Sequence, residues 1–156
     1  MSPTTVFGFT TDTATIAIFD PARLQHRLTD SADWWSIPAD EIAEINQGNM
    51  LSVSTGSDGF YEIELFIGSS SDYAVHTEAL VACESGQIFI GPGEVIPSDG
   101  LLTTDEFGGR FITLTPGTYR VRVSRPSSRS LGVYLLPTDS PAQNNFYESP
   151  RLSEID

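Results

Sequence analysis

Phe60-Tyr61-Glu62-Ile63-Glu64-Leu65-Phe66-Ile67 alternates with a period of two. Tyr61, Ile63, Leu65 and Ile67 share one face and Glu62 and Glu64 the other, the pattern of a strand buried on one side. Tyr119-Arg120-Val121-Arg122-Val123 repeats it, with Tyr119, Val121 and Val123 inward and both arginines outward. Working outward, Thr13–Phe19 is β-branched and closes at Asp20-Pro21. Asn49–Ser54 precedes Gly56-Ser57-Asp58-Gly59, where Asp-Gly reads as a hairpin turn because both central residues of a type I′ turn need positive φ. Ala74–Cys83, Gln87–Ile90, Phe111–Leu114 and Ser130–Leu136 are further strands. Thr115-Pro116-Gly117-Thr118 fits a type II turn, with Pro second and Gly third.

Helix is scarce. Pro38–Gln47 has Pro in its first turn, Asp40 and Glu41 at the positive end of the dipole, Ile42 and Ile45 on one face, and Gly48 as its stop. Pro21–Leu28 is shorter, with Asp20 as N-cap and Leu24 and Leu28 four apart. The expected fold is therefore all-β: a single antiparallel β-sandwich of about eight or nine strands with one or two short helices. The sandwich domain is expected over 1–138 and a poorly ordered C-terminal tail over 139–156, anchored if at all by Phe146 and Tyr147. Residues 91–109, with five glycines and two prolines, read as a long surface loop or loose crossover.

The charge is unevenly divided. Residues 1–109 hold seventeen acids against Arg23 and Arg27, whereas 110–138 hold five arginines and no acid. Lysine is absent and the net charge is −13. Such a chain repels nucleic acid and anionic membrane and attracts cationic surfaces. With 39% apolar residues it has enough to fold despite that charge. The lone Cys83 rules out an intrachain disulfide. The N-terminus lacks a basic segment followed by an apolar run, and no apolar stretch reaches the roughly 20 residues of a membrane helix. A cytoplasmic protein is expected.

Catalytic and metal patterns are weak. His76 and Cys83 sit seven apart on one strand, about 23 Å if it is straight, and on opposite faces. With two histidines and one cysteine at no ligand spacing, no zinc site is expected. Glu62 and Glu64 have a spacing that a glycosidase could use, but they read better as partners of Arg120 and Arg122 in a cross-strand charge ladder. No EF-hand or phosphate loop appears. No cofactor and no enzyme activity are expected.

Asp30-Ser31-Ala32-Asp33-Trp34-Trp35-Ser36-Ile37-Pro38 is the most distinctive short run. Adjacent tryptophans point in different directions, so one can be core and the other exposed among Asp30, Asp33, Asp40, Glu41 and Glu44. An aromatic anchor ringed by acids suits a basic protein partner. Asp30, Asp33, Trp34, Trp35, Asp40, Glu41 and Glu44 are thus the candidate partner-binding residues. The other reading is that both rings pack beneath a loop while the acids cap and solubilise the helix.

From Leu80 to Leu136, Gly86-Gln87-Ile88-Phe89-Ile90, a loop, and Phe111-Ile112-Thr113-Leu114-Thr115-Pro116-Gly117-Thr118-Tyr119-Arg120-Val121 resemble the strand–loop–strand core of small acidic bacterial β-sandwich proteins. The competence-associated nuclease inhibitors are one such group. The resemblance covers about a third of the chain and implies an inhibitor or immunity protein that masks a toxin or nuclease. It carries over no inhibitory residue. The expected function is an acidic inhibitor of a basic protein partner. The alternative is a ligand- or carbohydrate-binding jelly-roll module, which needs a row of exposed aromatics on one sheet face.

Overall fold

The computed structural model describes residues 2–68 and 73–152. Nine strands build two sheets, giving the all-β sandwich that the period-two patterning predicts. The first sheet has β1 (Thr5–Thr11), β4 (Gly59–Ile67), β9 (Ser130–Thr138), β8 (Gly117–Ser127) and β5 (Val75–Cys83) in that lateral order. The second has β3 (Met50–Ser54), β2 (Thr15–Phe19), β6 (Gln87–Pro92) and β7 (Arg110–Thr113). Neighbours are antiparallel except β4 and β9, which run parallel with Ile63 opposite Leu131. Among the described residues, helix is confined to α1 (Pro38–Asn46) and three short 3₁₀ turns.

Alternation sets the core. Tyr61, Ile63 and Leu65 of β4 and Val121 and Val123 of β8 face Ile16, Ile18, Leu51, Val53, Ile88 and Ile90 of the second sheet. Each such side chain contributes roughly 1.5–3 kcal/mol when fully buried. The second sheet is covered on its other side too. Ala17, Phe19, Met50 and Phe89 pack there against Leu24, Trp34, Trp35 and Ile45. That is why all five residues of β2 are buried: the strand lies between two apolar layers. The helical elements and both tryptophans form this third layer.

Several local expectations are revised. Asp58-Gly59 does not close a hairpin. Asp58 lacks the positive φ that a type I′ turn needs, and here the chain crosses between sheets, so β3 pairs with β2 and β4 with β1. Gly117 is nearly extended at φ 156° and starts β8 instead of sitting in a type II turn. The edge strand β1 is additional, its Phe7, Phe9 and Thr11 pointing inward.

The segment expected to be a loose tail is laid against the sandwich as far as Leu152; residues 153–156 lie outside the described residues. The Asn144 side chain accepts from Leu80 N at 2.8 Å and donates to Leu80 O at 2.9 Å and Ile45 O at 2.7 Å. It thereby mimics a strand partner along the open edge of β5. Leu152 is buried in the core, and Ser54 bridges Arg151. A Cβ on Gly48, held at φ 72°, would collide with Ala142 of this strap.

Candidate functional site

The residues marked by the sequence gather around Arg27. Asp20 caps the Pro21–Arg27 turn by accepting from Ala22 N at 2.9 Å, and the turn delivers His26 and Arg27 to the flank of α1. Arg27 Nε donates to Glu44 Oε2 at 2.8 Å, and its Nη1 donates to Asp30 at 3.0 Å and Asp40 at 3.3 Å. Its guanidinium carbon stands 4.4 Å from the centre of the Trp34 ring. His26 Nε2 is 2.8 Å from Glu44 Oε2, and Asn49 Nδ2 donates to Glu44 Oε1 at 2.8 Å. Burial alone would raise the Glu44 carboxyl, but the bonds from Asn49, His26 and Arg27 outweigh it and hold the group below the usual carboxylate range.

Glu41 has a different environment. It is buried, and its Oε2 accepts from Ser52 Oγ at 2.6 Å. Burial is the dominant influence and pushes its carboxyl up, partly offset by hydrogen bonds from Ser149 and Ser52. Neither indole is exposed: Trp34 is 3% and Trp35 4% accessible. This corrects the expectation that one of them is an accessible anchor. The layer over the second sheet needs both rings, and Trp34 Nε1 is satisfied internally by Pro97 O at 2.8 Å. Asp30, Asp40 and Glu44 are drawn onto Arg27, Glu41 onto Ser52, and Asp33 stays exposed.

What this cluster supports is the segment beside it. Besides the Trp34–Pro97 bond, Asp99 N donates to Asp30 O at 2.7 Å and Gly100 N to Leu28 O at 2.8 Å. Ser98-Asp99-Gly100-Leu101 is a tight turn with φ 51° at Asp99 and 73° at Gly100, the two positive values of a type I′ turn. Further on, Thr103 Oγ1 donates to Val95 O at 2.8 Å, and Gly109 N to Gly8 O at 3.1 Å. Residues 97–109, expected only as an irregular loop, are thus held at both ends and in the middle. The Asp99-Gly100 pair was the signal in the sequence that could have shown it. Leu101 and Leu102 are each 70% exposed on this segment and Phe107 66%. Asp99, Asp105 and Glu106 beside them are exposed.

Positive charge is largely engaged within the molecule. Arg120 Nη1 and Arg122 Nε donate to the two oxygens of Glu78, both at 2.7 Å. Their expected partners, Glu62 and Glu64, are out of reach because β9 separates β4 from β8. Arg23 meets Asn49 and Glu84. Arg125 donates to Thr55 O and Ser128 O, Arg129 to Asp58 O, and Arg110 to Thr5 Oγ1. Among the described residues, no ion pair involves Asp33, Asp99, Asp105 or Glu106.

An open cleft of about 620 Å³ lies between β5 and the strap, beside Arg120, Asn144 and Tyr147. The exposed rings Phe60, Tyr73, Phe107 and Tyr147 come from four separate segments. Among the described residues they form no row on a sheet face. No group of three His, Cys, Asp or Glu placed to hold a metal occurs among the described residues. No helix there is long and apolar enough to cross a membrane.

Two packed sheets with a helical layer on one of them define an all-β sandwich protein. The chain matches the family described as "Family of unknown function (DUF6386)" over residues 1–152, and it belongs to that family. Solved structures of similar fold include ComJ, inhibitor of the DNA degrading activity of NucA, from Bacillus subtilis. It is 10% identical, with a TM-score of 0.56 over 88% of this chain and 98% of that chain. The product of crocagin biosynthetic gene J is 14% identical, with a TM-score of 0.52 over 85% of this chain and 94% of that one. These identities show a shared fold. No curated protein matches the sequence.

Proposed function

We propose that this chain is an inhibitor or immunity-type protein that binds and neutralises a basic protein partner of nuclease or toxin type, without catalysis or a cofactor. The observation that carries this reading is the charge accounting. Seven of the eight arginines are turned onto the chain's own acids, carbonyls or hydroxyls and Arg151 is exposed, while Asp33, Asp99, Asp105 and Glu106 are exposed outside any described ion pair. A net charge of −13 then acts outward and speeds encounter with a cationic surface. The fold shared with ComJ supports the inhibitor role. The mechanism follows from electrostatics: a nuclease binds its polyanionic substrate through a positive surface, and an acidic protein seated on that surface excludes the substrate.

The test is to purify the product of the gene beside this one and titrate it with the chain. One-to-one loss of its activity, with affinity falling steeply as salt rises, is the expected result. A neighbour that retains full activity, or a complex indifferent to salt, would sink the reading.

A further inference from the structure

Leu101, Leu102 and Phe107 stand out because nothing in the fold needs them at the surface. Single exposed apolar residues are ordinary, but three large ones on one seven-residue stretch are the mark of a contact surface. The segment is also shaped in advance. The type I′ turn at Asp99-Gly100, the Trp34–Pro97 bond and the pairing of Gly108 and Gly109 with β1 fix its course. A pre-shaped loop loses little entropy on binding, so more of its contact energy appears as affinity. A further exposed ring lies on the β1 side where the segment ends. Gly109 bonds to Gly8, and the Phe60 ring, 56% exposed, lies so close over Gly8 that a Cβ there would strike it.

The rim identifies the occupant. Residues 93–109 contain Glu94, Asp99, Asp105 and Glu106 and no base. Glu94 is turned onto Thr11, Thr13 and Asp12 N. The other three are exposed and in no described ion pair, and Arg110 at the segment's end is turned to Thr5 and Phe7. A second copy of this chain fits poorly, because a two-fold contact would bring both sets of acids together.

Resting on the proposed inhibitor role, we infer that residues 98–109 are the docking face. Leu101, Leu102 and Phe107 enter an apolar depression on the basic partner, and Asp99, Asp105 and Glu106 meet lysines or arginines at its rim. The Trp34–Arg27 node is the post that holds this face in position.

The experiment places a photo-crosslinking residue at position 102 and, separately, at position 147 in cells that make the chain. Adducts are identified by mass spectrometry, and the partner is purified for binding kinetics. The expected adduct forms at 102 with a protein rich in lysine and arginine. Leu101→Ser with Leu102→Ser weakens binding at least about tenfold, mainly through faster dissociation, with an unchanged unfolding midpoint. Asp105→Asn with Glu106→Gln instead slows association and flattens the salt dependence. A basic partner crosslinked only at 147, or bound within twofold by the leucine variants, would overturn this docking face and leave the inhibitor reading standing. If the unaltered chain retains no basic protein at low salt, the inhibitor reading falls and this inference with it. Self-association abolished by the leucine variants would assign the face to a second copy and overturn it as well.

Discussion

Arg27 lies 4.4 Å over the Trp34 ring, so one guanidinium serves both the apolar layer and the carboxylates around it. The face toward Trp34 gains cation–π attraction, and the edge donates to Glu44, Asp30 and Asp40. Sequence proximity suggested that the tryptophans and acids form an outward-facing contact. The geometry makes them an internal joint between the Pro21–Arg27 turn, α1 and the 97–109 segment.

Arg27→Ala is therefore expected to destabilise the fold by about 3 kcal/mol, the low end for breaking a buried pair, since Asn49 and His26 still bond Glu44. Arg27→Lys should cost less, because it keeps the charge and loses the planar fork. Urea unfolding with an unchanged m-value measures both. Arg27→Ala within about 0.5 kcal/mol of the native chain would show that the joint is not coupled to stability.

Glu41 and Glu44 give opposite pH behaviour. Glu44 is held below its usual value, so its contribution is present above the unfolded-state value and is lost as pH falls through the folded one. Glu41 is pushed up by burial, so its contribution is present below the unfolded-state value and is lost as pH rises through the folded one. Glu41→Gln should therefore raise stability at neutral pH, with the gain vanishing in acid. Unfolding midpoints from about pH 3.5 to 8 test this, spanning the carboxylate range. A variant less stable than the native chain at neutral pH and equal to it in acid would reverse the sign.

Asn144→Ala should cost roughly 2 kcal/mol, the net worth of two or three part-buried hydrogen bonds. It should also expose the backbone edge of β5. Amide exchange at Leu80, whose N–H bonds Asn144, is the direct readout. Unchanged exchange there would mean that the strap is held elsewhere, through Leu152 and the Ser54–Arg151 bridge.

Much of the fold was legible because strand pattern is local. Period two located eight of the nine strands, and Pro38 with Gly48 bracketed α1. β1 went unread even though Phe7, Phe9 and Thr11 alternate, because Gly8 breaks the β-branched run. Turn residues mark where the chain reverses but not which sheet receives the next strand, so Asp58-Gly59 looked like a hairpin. The candidate site was less legible for the same reason. Whether Trp34 points out or in depends on Pro97, sixty-three residues away. That Asp40 and Glu44 of α1 are spent on Arg27, and Glu41 on Ser52, is likewise a tertiary fact.

Arg120 and Arg122 separate structural charge from binding charge. Both grip Glu78, whose carboxyl burial would raise but which the two guanidinium groups hold below its usual range. That contribution is present above the unfolded-state value and is lost as pH falls through the folded one. Reversing both residues, Arg120→Glu with Arg122→Glu, places three carboxylates where one was shared between two cations. The pairs are about one-third exposed, so the loss at neutral pH should be modest, roughly 1 kcal/mol. The deficit should shrink in acid as the introduced acids protonate. Binding of a basic partner should survive, because Glu78 lies on β5 at one edge of the first sheet, whereas the 97–109 segment meets β1 at the other. Unfolding by urea at neutral and acid pH, alongside partner affinity, decides the matter. Abolished binding with unchanged stability would make these arginines interface residues and move the contact to the β5 edge.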